Sequence, residues 1–146
     1  MTHPHQVDLV ALLRELIDAG IEFIVVGGGA AVLHGAPVTT FDLDIVPKRT
    51  PENAAQLMEV LSKHDVFIME PMKRRLLPRE SDFRGRGQMN LSTDLGPLDV
   101  LCVLHDLRGY DELLEHSELV HDDTLSVRVL DLPTLIEVKA STGRAK

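Results

Sequence analysis

The chain has 146 residues, 44% of them hydrophobic, and a formal net charge of −8 from 15 Lys and Arg against 23 Asp and Glu. That length suits one domain able to bury roughly 70% of its unfolded surface, and the apolar share argues against disorder. The acidic balance disfavours passive, salt-driven binding to nucleic acid, and no apolar run approaches the roughly 20 residues of a membrane span. A single Cys excludes an internal disulfide framework. The start, MTHPHQVDLV, lacks the basic-then-apolar layout of a secretory signal, so the chain reads as cytoplasmic. Aromatics are scarce (four Phe, one Tyr, no Trp), which leaves the core to Val, Leu, Ile and Ala.

In chain order, Leu9, Val10, Leu13, Leu16 and Ile17 recur at helical spacing, and Gly20 stands at the expected C-cap, so a helix is predicted near 6–19. Ile21 to Val26 is a continuous β-branched run and reads as a buried strand. Three glycines follow, then a short helix over Ala30 to Leu33 and a second strand over Leu43 to Val46. Thr50-Pro51-Glu52 opens a helix ending near His64. Val66 to Met69 reads as a short strand and 71–87 as a mobile basic connection. Gln88 to Thr93 and Leu98 to Val103 flank Asp94-Leu95-Gly96-Pro97, the pattern of an antiparallel hairpin. A weak acidic helix over Tyr110 to His116 precedes a last strand, Leu125 to Leu130, and Asp131 caps a closing helix through Leu135 and Ile136 to about Ser141. No repeat or linker interrupts the chain, so residues 1–146 are expected to form one domain. The order predicts an α+β fold, a mixed β-sheet with a hairpin packed by helices.

Charge is unevenly placed. Residues 71–90 carry Lys73, Arg74, Arg75, Arg79, Arg84 and Arg86 against Glu80 and Asp82, whereas 94–123 carry nine acids against the single Arg108. A basic patch on an acidic body suits a small polyanion; a solvated loop would look the same.

Gly27-Gly28-Gly29 fits neither a dinucleotide fingerprint, since Val32 holds the third position, nor a P-loop, since no Gly-Lys-Ser/Thr follows. A strand–glycine–helix turn that offers backbone N–H groups to phosphate remains open, because a Cβ would block close approach. A buried structural turn would have the same sequence. Asp42 and Asp44, at i and i+2, leave a strand by one face, where they repel and raise each other's pKa unless a cation lies between them. A hard divalent ion with oxygen ligands resolves that repulsion; two acids in water at a sheet edge are the alternative. Asp99 interrupts the apolar LDVLCV and is expensive to bury unpaired. If its strand adjoins that of Asp42 and Asp44, three carboxylates converge, enough to hold two divalent ions about 4 Å apart for in-line attack on a phosphoryl group.

Gly27-Gly28, thirteen intervening residues, Asp42-Leu43-Asp44 and a later Asp99 resemble the signature of the DNA polymerase β-type nucleotidyltransferase superfamily. The resemblance is strongest over 21–46, where Val26, Gly27, Gly28, Ala30, His34, Gly35, Thr40, Asp42, Leu43, Asp44 and Ile45 match small bacterial members. Those include minimal nucleotidyltransferases and AbiEii-like toxins. It implies a nucleotidyltransferase fold, with Gly27 and Gly28 on the phosphates of a nucleoside triphosphate and Thr40 and His34 also on the nucleotide side. It further implies Asp42, Asp44 and Asp99 as catalytic ligands of Mg²⁺ (or Mn²⁺), with Asp99 helping to deprotonate the attacking hydroxyl. Lys139 and Arg144 correspond to basic residues on the last helix of such proteins. Many close relatives carry an Arg just before the Thr-x-Asp-Leu-Asp segment; here the residues are Ala36-Pro37-Val38-Thr39. If that Arg meets the triphosphate, a residue from 73–86 would have to substitute; otherwise nucleotide binding is weakened and the chain is a degenerate member.

Among lesser candidates, His34 contacts the nucleotide or is a packed turn residue. Lys73, Arg74 and Arg84, with Lys139 and Arg144, are candidate phosphate or acceptor contacts. His3 and His5 are expected near a frayed terminus, His105, His116 and His121 lack ligand spacing, and Cys102 is expected to be a core thiol. The expected activity is transfer of a nucleoside monophosphate from ATP or another triphosphate to a hydroxyl of RNA, tRNA or protein. A toxin of a toxin–antitoxin pair is its most specific form, with a homodimer partner or separate subunit supplying acceptor recognition. The alternatives are a catalytically degenerate nucleotide-binding or protein-interaction module of the same fold, and a metal-dependent phosphohydrolase.

Overall fold

A computed structural model of the chain describes residues 2–70, 72, 74–122 and 124–142. The Asp8 carboxylate accepts from Ala11 N at 3.2 Å and opens α1 (Leu9–Asp18). Leu12, Leu13 and Leu16 form its buried stripe, each contributing about 1.5–3 kcal/mol of burial. Gly20, at φ +77°, turns the chain into β1 (Phe23–Val26), buried at all four positions. There α2 (Gly27–Leu33) begins at the first glycine, three residues earlier than the sequence predicts. Thr50 caps α3 (Pro51–Ser62), which follows β2 (Leu43–Pro47). Then come β3 (Phe67–Ile68), a 3₁₀ turn over Glu80–Phe83, and the hairpin of β4 (Gln88–Thr93) and β5 (Gly96–Leu101), closed by Asp94-Leu95. The chain continues through α4 (Tyr110–Leu113), a 3₁₀ turn over Leu114–His116, β6 (Ser117–Asp122), β7 (Leu125–Leu130) and α5 (Leu132–Thr142). Asp131 caps α5 as expected, accepting from Thr134 N at 2.9 Å.

Among the described residues the sheet has seven strands in the order β3-β4-β5-β2-β1-β7-β6. Pairing is parallel at β2/β5 and β1/β7 and antiparallel elsewhere, so the fold is α+β with a mixed sheet. Alternation sends Phe23, Val25, Leu43, Ile45, Leu98 and Val100 into the larger core, which α1 and α3 cover. Ile24, Val26, Val46 and Leu130 face the other way, into a smaller cluster with Tyr110 and Leu113 of α4 and Leu135 and Val138 of α5. Asp44 and Asp99 share alternation with this second face, whose cover is thinner. No helix among the described residues is long and apolar enough to cross a membrane.

Three expectations change. Strand β6 was not predicted. Ser117-Glu118-Leu119-Val120-His121-Asp122 carries too many polar residues to read as a strand, yet an edge strand needs only backbone pairing, here with Leu125 to Leu130. The 71–87 segment is more than a mobile connection: Phe83 is fully buried, and Leu76 bridges to Ile68. His3 is docked rather than frayed, with ring nitrogens 2.7 Å from Ser92 Oγ and 2.9 Å from Asp65 Oδ2 and its ring stacked on Phe67.

Candidate active site

Strand β1 ends where the site begins. Val26 lies opposite Asp44 in the antiparallel register, so the next residue, Gly27, turns directly beside the Asp44 carboxylate. Gly27 sits at φ +66°, and a Cβ on it would overlap Asp44 Oδ2, so both conformation and space demand glycine. A Cβ on Gly28 would come within 2.9 Å of Thr40 Oγ1. The Thr40 hydroxyl in turn donates to the Asp42 carbonyl at 2.7 Å, bracing the bend from which Asp42 projects just before β2. Across the other edge of β2, Asp44 and Asp99 are direct partners in the parallel register with β5. One carboxylate oxygen each from Asp42, Asp44 and Asp99 lies within 4.8 Å of the others, all three side chains half-buried.

Three acids this close cannot all ionise cheaply. Burial first, then the Asp42 charge, pushes Asp44 up to about 6, against an opposing hydrogen bond with Asp99. Burial, a hydrogen bond with Asp42 and the Asp44 and Asp42 charges push Asp99 up to about 8. Without a cation the cluster therefore holds a proton more tightly than isolated carboxylates do. Asp44 Oδ1 is buried with no hydrogen-bond partner among the described residues, which is costly for a carboxylate oxygen. An all-oxygen set with an orphaned lone pair and strong mutual repulsion fits a hard divalent cation such as Mg²⁺ or Mn²⁺.

A cavity of about 870 Å³ opens from this cluster along the second face of the sheet. Val26, Gly27, Gly28 and Asp44 form one end, while Leu101, Leu104, Leu130, Leu135 and Val138 give it apolar walls. Arg86 and Lys139 are its cations, and Gln88 and His105 add polar groups. Apolar walls with a few converging polar groups are what a small-molecule site requires.

A glycine turn, a carboxylate pair at the start of β2 and a third acid on a parallel neighbour lie on a frame that matches a solved structure. A crystal structure of a candidate nucleotidyltransferase from Thermotoga maritima superposes with a TM-score of 0.64 at 18% identity, over 97% of this chain and 89% of that one. The chain has a nucleotidyltransferase fold. No protein-family model matches the sequence, and no curated protein does.

On this nucleotidyltransferase fold the other candidates from the sequence fall in different places. His34 gives Nε2 to the Leu130 carbonyl at 2.8 Å, tying the end of α2 to β7, and is not among the cavity-lining residues. Arg74 pairs with Glu70 at 3.1 Å and Arg84 with Glu80 at 2.7 Å, both away from the cavity lining. Lys139 does line the cavity. Lys73 and Arg144 lie outside the described residues. Cys102 is buried, with burial pushing its thiol up. Sequence reasoning did not single out Arg86 from its basic stretch.

Proposed function

We propose that the chain catalyses metal-dependent transfer of a nucleoside monophosphate from a nucleoside triphosphate to an acceptor hydroxyl. One observation carries the reading: Asp42, Asp44 and Asp99 converge around an orphaned carboxylate oxygen, immediately beside a glycine turn at the mouth of the cavity. Divalent ions held by the three carboxylates would supply Lewis acidity at the α-phosphate and offset negative charge on attacking and leaving oxygens. The turn at Gly27 and Gly28, which lies against Asp44 and Thr40 because neither glycine has a Cβ, would offer backbone N–H groups to the phosphates. Asp99 is placed to take the proton of the acceptor hydroxyl once cation binding has displaced its own. The hydroxyl oxygen bonds to the α-phosphorus, the bond from that phosphorus to the bridging oxygen of the β-phosphate breaks, and pyrophosphate departs with the electron pair. The apolar walls leave room for ribose and base.

Resemblance over 21–46 favours an RNA or protein acceptor, with toxin action as its most specific form. The test is transfer of α-labelled triphosphates, each of the four supplied separately with Mg²⁺ or Mn²⁺, to total RNA and to cell lysate. Label on a discrete RNA or protein band, absent with Asp42→Ala/Asp44→Ala, supports the reading and identifies base and acceptor together. A folded protein that transfers no label overturns it and leaves the non-catalytic module. Release of labelled phosphate or nucleotide without an acceptor points instead to a hydrolase.

A further inference from the structure

The geometry points to Arg86 as the residue that grips the β- and γ-phosphates of the triphosphate and steadies departing pyrophosphate. This inference rests on the nucleotidyl-transfer reading above. Three carboxylates already surround the reacting end of the cavity, so a polyphosphate entering beside Gly27 and Gly28 needs cationic partners. Among the described residues, Arg86 and Lys139 are the cations lining that space. The neighbouring arginines are committed elsewhere: Arg74 to Glu70, Arg75 to Asp65, Arg79 to Asp82 and Arg84 to Glu80. Arg86 has no ion pair among the described residues. Its charge bears on Glu112, whose carboxyl is lowered first by the Gly109 N–H and less by the charges of Arg49 and Arg86.

The backbone carrying Arg86 is fixed on both sides. Arg49 Nη1 donates to the Gly85 carbonyl at 3.0 Å, and Cys102 N donates to the Gly87 carbonyl at 3.0 Å. A Cβ on Gly85 or Gly87 would meet nothing within 4 Å, so neither glycine is needed for packing. Both side chains are exposed, but the Arg86 guanidinium can present a planar fork to two phosphate oxygens from a backbone held on both sides, whereas Lys139 brings a point charge on a flexible stem. Arg86 is therefore a polyphosphate-specific contact, with little part in holding the nucleoside.

The experiment measures calorimetric affinities of the full chain for each nucleoside triphosphate, its monophosphate and inorganic pyrophosphate, all with Mg²⁺. Wild type is compared with Arg86→Gln, Arg86→Lys and Arg79→Gln, the last removing an equal charge outside the cavity. Arg86→Gln should weaken triphosphate and pyrophosphate binding about 10- to 100-fold while changing monophosphate affinity less than about twofold. Arg86→Lys should recover part of the loss, and Arg79→Gln should match wild type. Equal triphosphate affinity in wild type and Arg86→Gln, or an equal loss for monophosphate, overturns the role of Arg86 alone. A wild-type protein that binds no triphosphate overturns the underlying transfer reading as well. Unchanged circular dichroism and melting temperature in Arg86→Gln separate lost contact from lost fold.

Discussion

Asp44 and Asp99 face each other in register across β2 and β5, although 54 residues separate them in the chain. Their carboxylates, joined by that of Asp42, form a cluster that is uncomfortable when empty of cations. Both pKa values lie above the usual carboxylate value, so the fold favours their protonated forms. The stabilisation this brings is complete below about pH 4 and is lost as pH rises through about 6 for Asp44 and about 8 for Asp99. Metal-free protein should therefore melt at a lower temperature at pH 9 than at pH 5. Mg²⁺ or Mn²⁺ should restore most of the difference, with a shift that grows with pH as protons are displaced. Asp99→Asn should melt above wild type at pH 8 without metal and respond weakly to added metal. Differential scanning fluorimetry across pH, with and without Mg²⁺, checks both; a pH-independent metal shift would count against a shared carboxylate site.

Gly27 and Gly29 make a matched pair. Gly27→Ala forces a side chain into φ +66° and into the Asp44 carboxylate. We expect about 1–3 kcal/mol of destabilisation and loss of the metal-induced thermal shift, because the group that must yield is a proposed ligand. Gly29 is buried inside α2, but an added Cβ there meets Val25 and Leu43 at ordinary contact distances of 3.4 and 3.5 Å. Gly29→Ala should be neutral or stabilising by up to about 1 kcal/mol and should keep the shift. Denaturant unfolding with metal titration distinguishes them.

Asn53 fastens the outer ends of β1 and β2. Its side-chain oxygen accepts from Glu22 N, and its amide donates to the carbonyls of Glu22 and Lys48, each at 2.9 Å. The residue is buried, so Asn53→Ala leaves backbone groups without partners. The expected cost is about 2–4 kcal/mol in urea unfolding, with nucleotide binding retained where the fold survives.

His64 stands between two acids, its ring nitrogens 3.0 Å from Glu15 and 2.8 Å from Asp94. Burial opposes its charge, but the hydrogen bonds and charges of Glu15 and Asp94 prevail and raise its pKa above 6.5. Protonated His64 thus stabilises fully below about pH 6.5, and the contribution fades as pH rises through the higher folded value. His64→Gln should lower the melting temperature more at pH 5.5 than at pH 8.5. An equal loss at both would mean that packing, and no ion pair, fixes this residue.

Much of the site could be read from one contiguous stretch, because its determinants are local. A β-branched run, a glycine turn and the i, i+2 spacing of Asp42 and Asp44 specify strand, turn and a shared face within some 20 residues. Caps at Asp8, Thr50 and Asp131, and the hairpin about Asp94, are likewise written in neighbouring side chains. The sequence predicts Asp99 as an awkward acid in an apolar strand, but the parallel pairing that brings it to Asp44 is made of backbone hydrogen bonds between distant segments, which any residue can supply. For the same reason β6 escaped the pattern: an edge strand needs a partner more than an apolar face. The basic stretch was visible as charge alone. Only the tertiary structure decided that four of its arginines face their own acids while Arg86 reaches the cavity, because an ion pair depends on which side chains the folded backbone brings within a few ångströms.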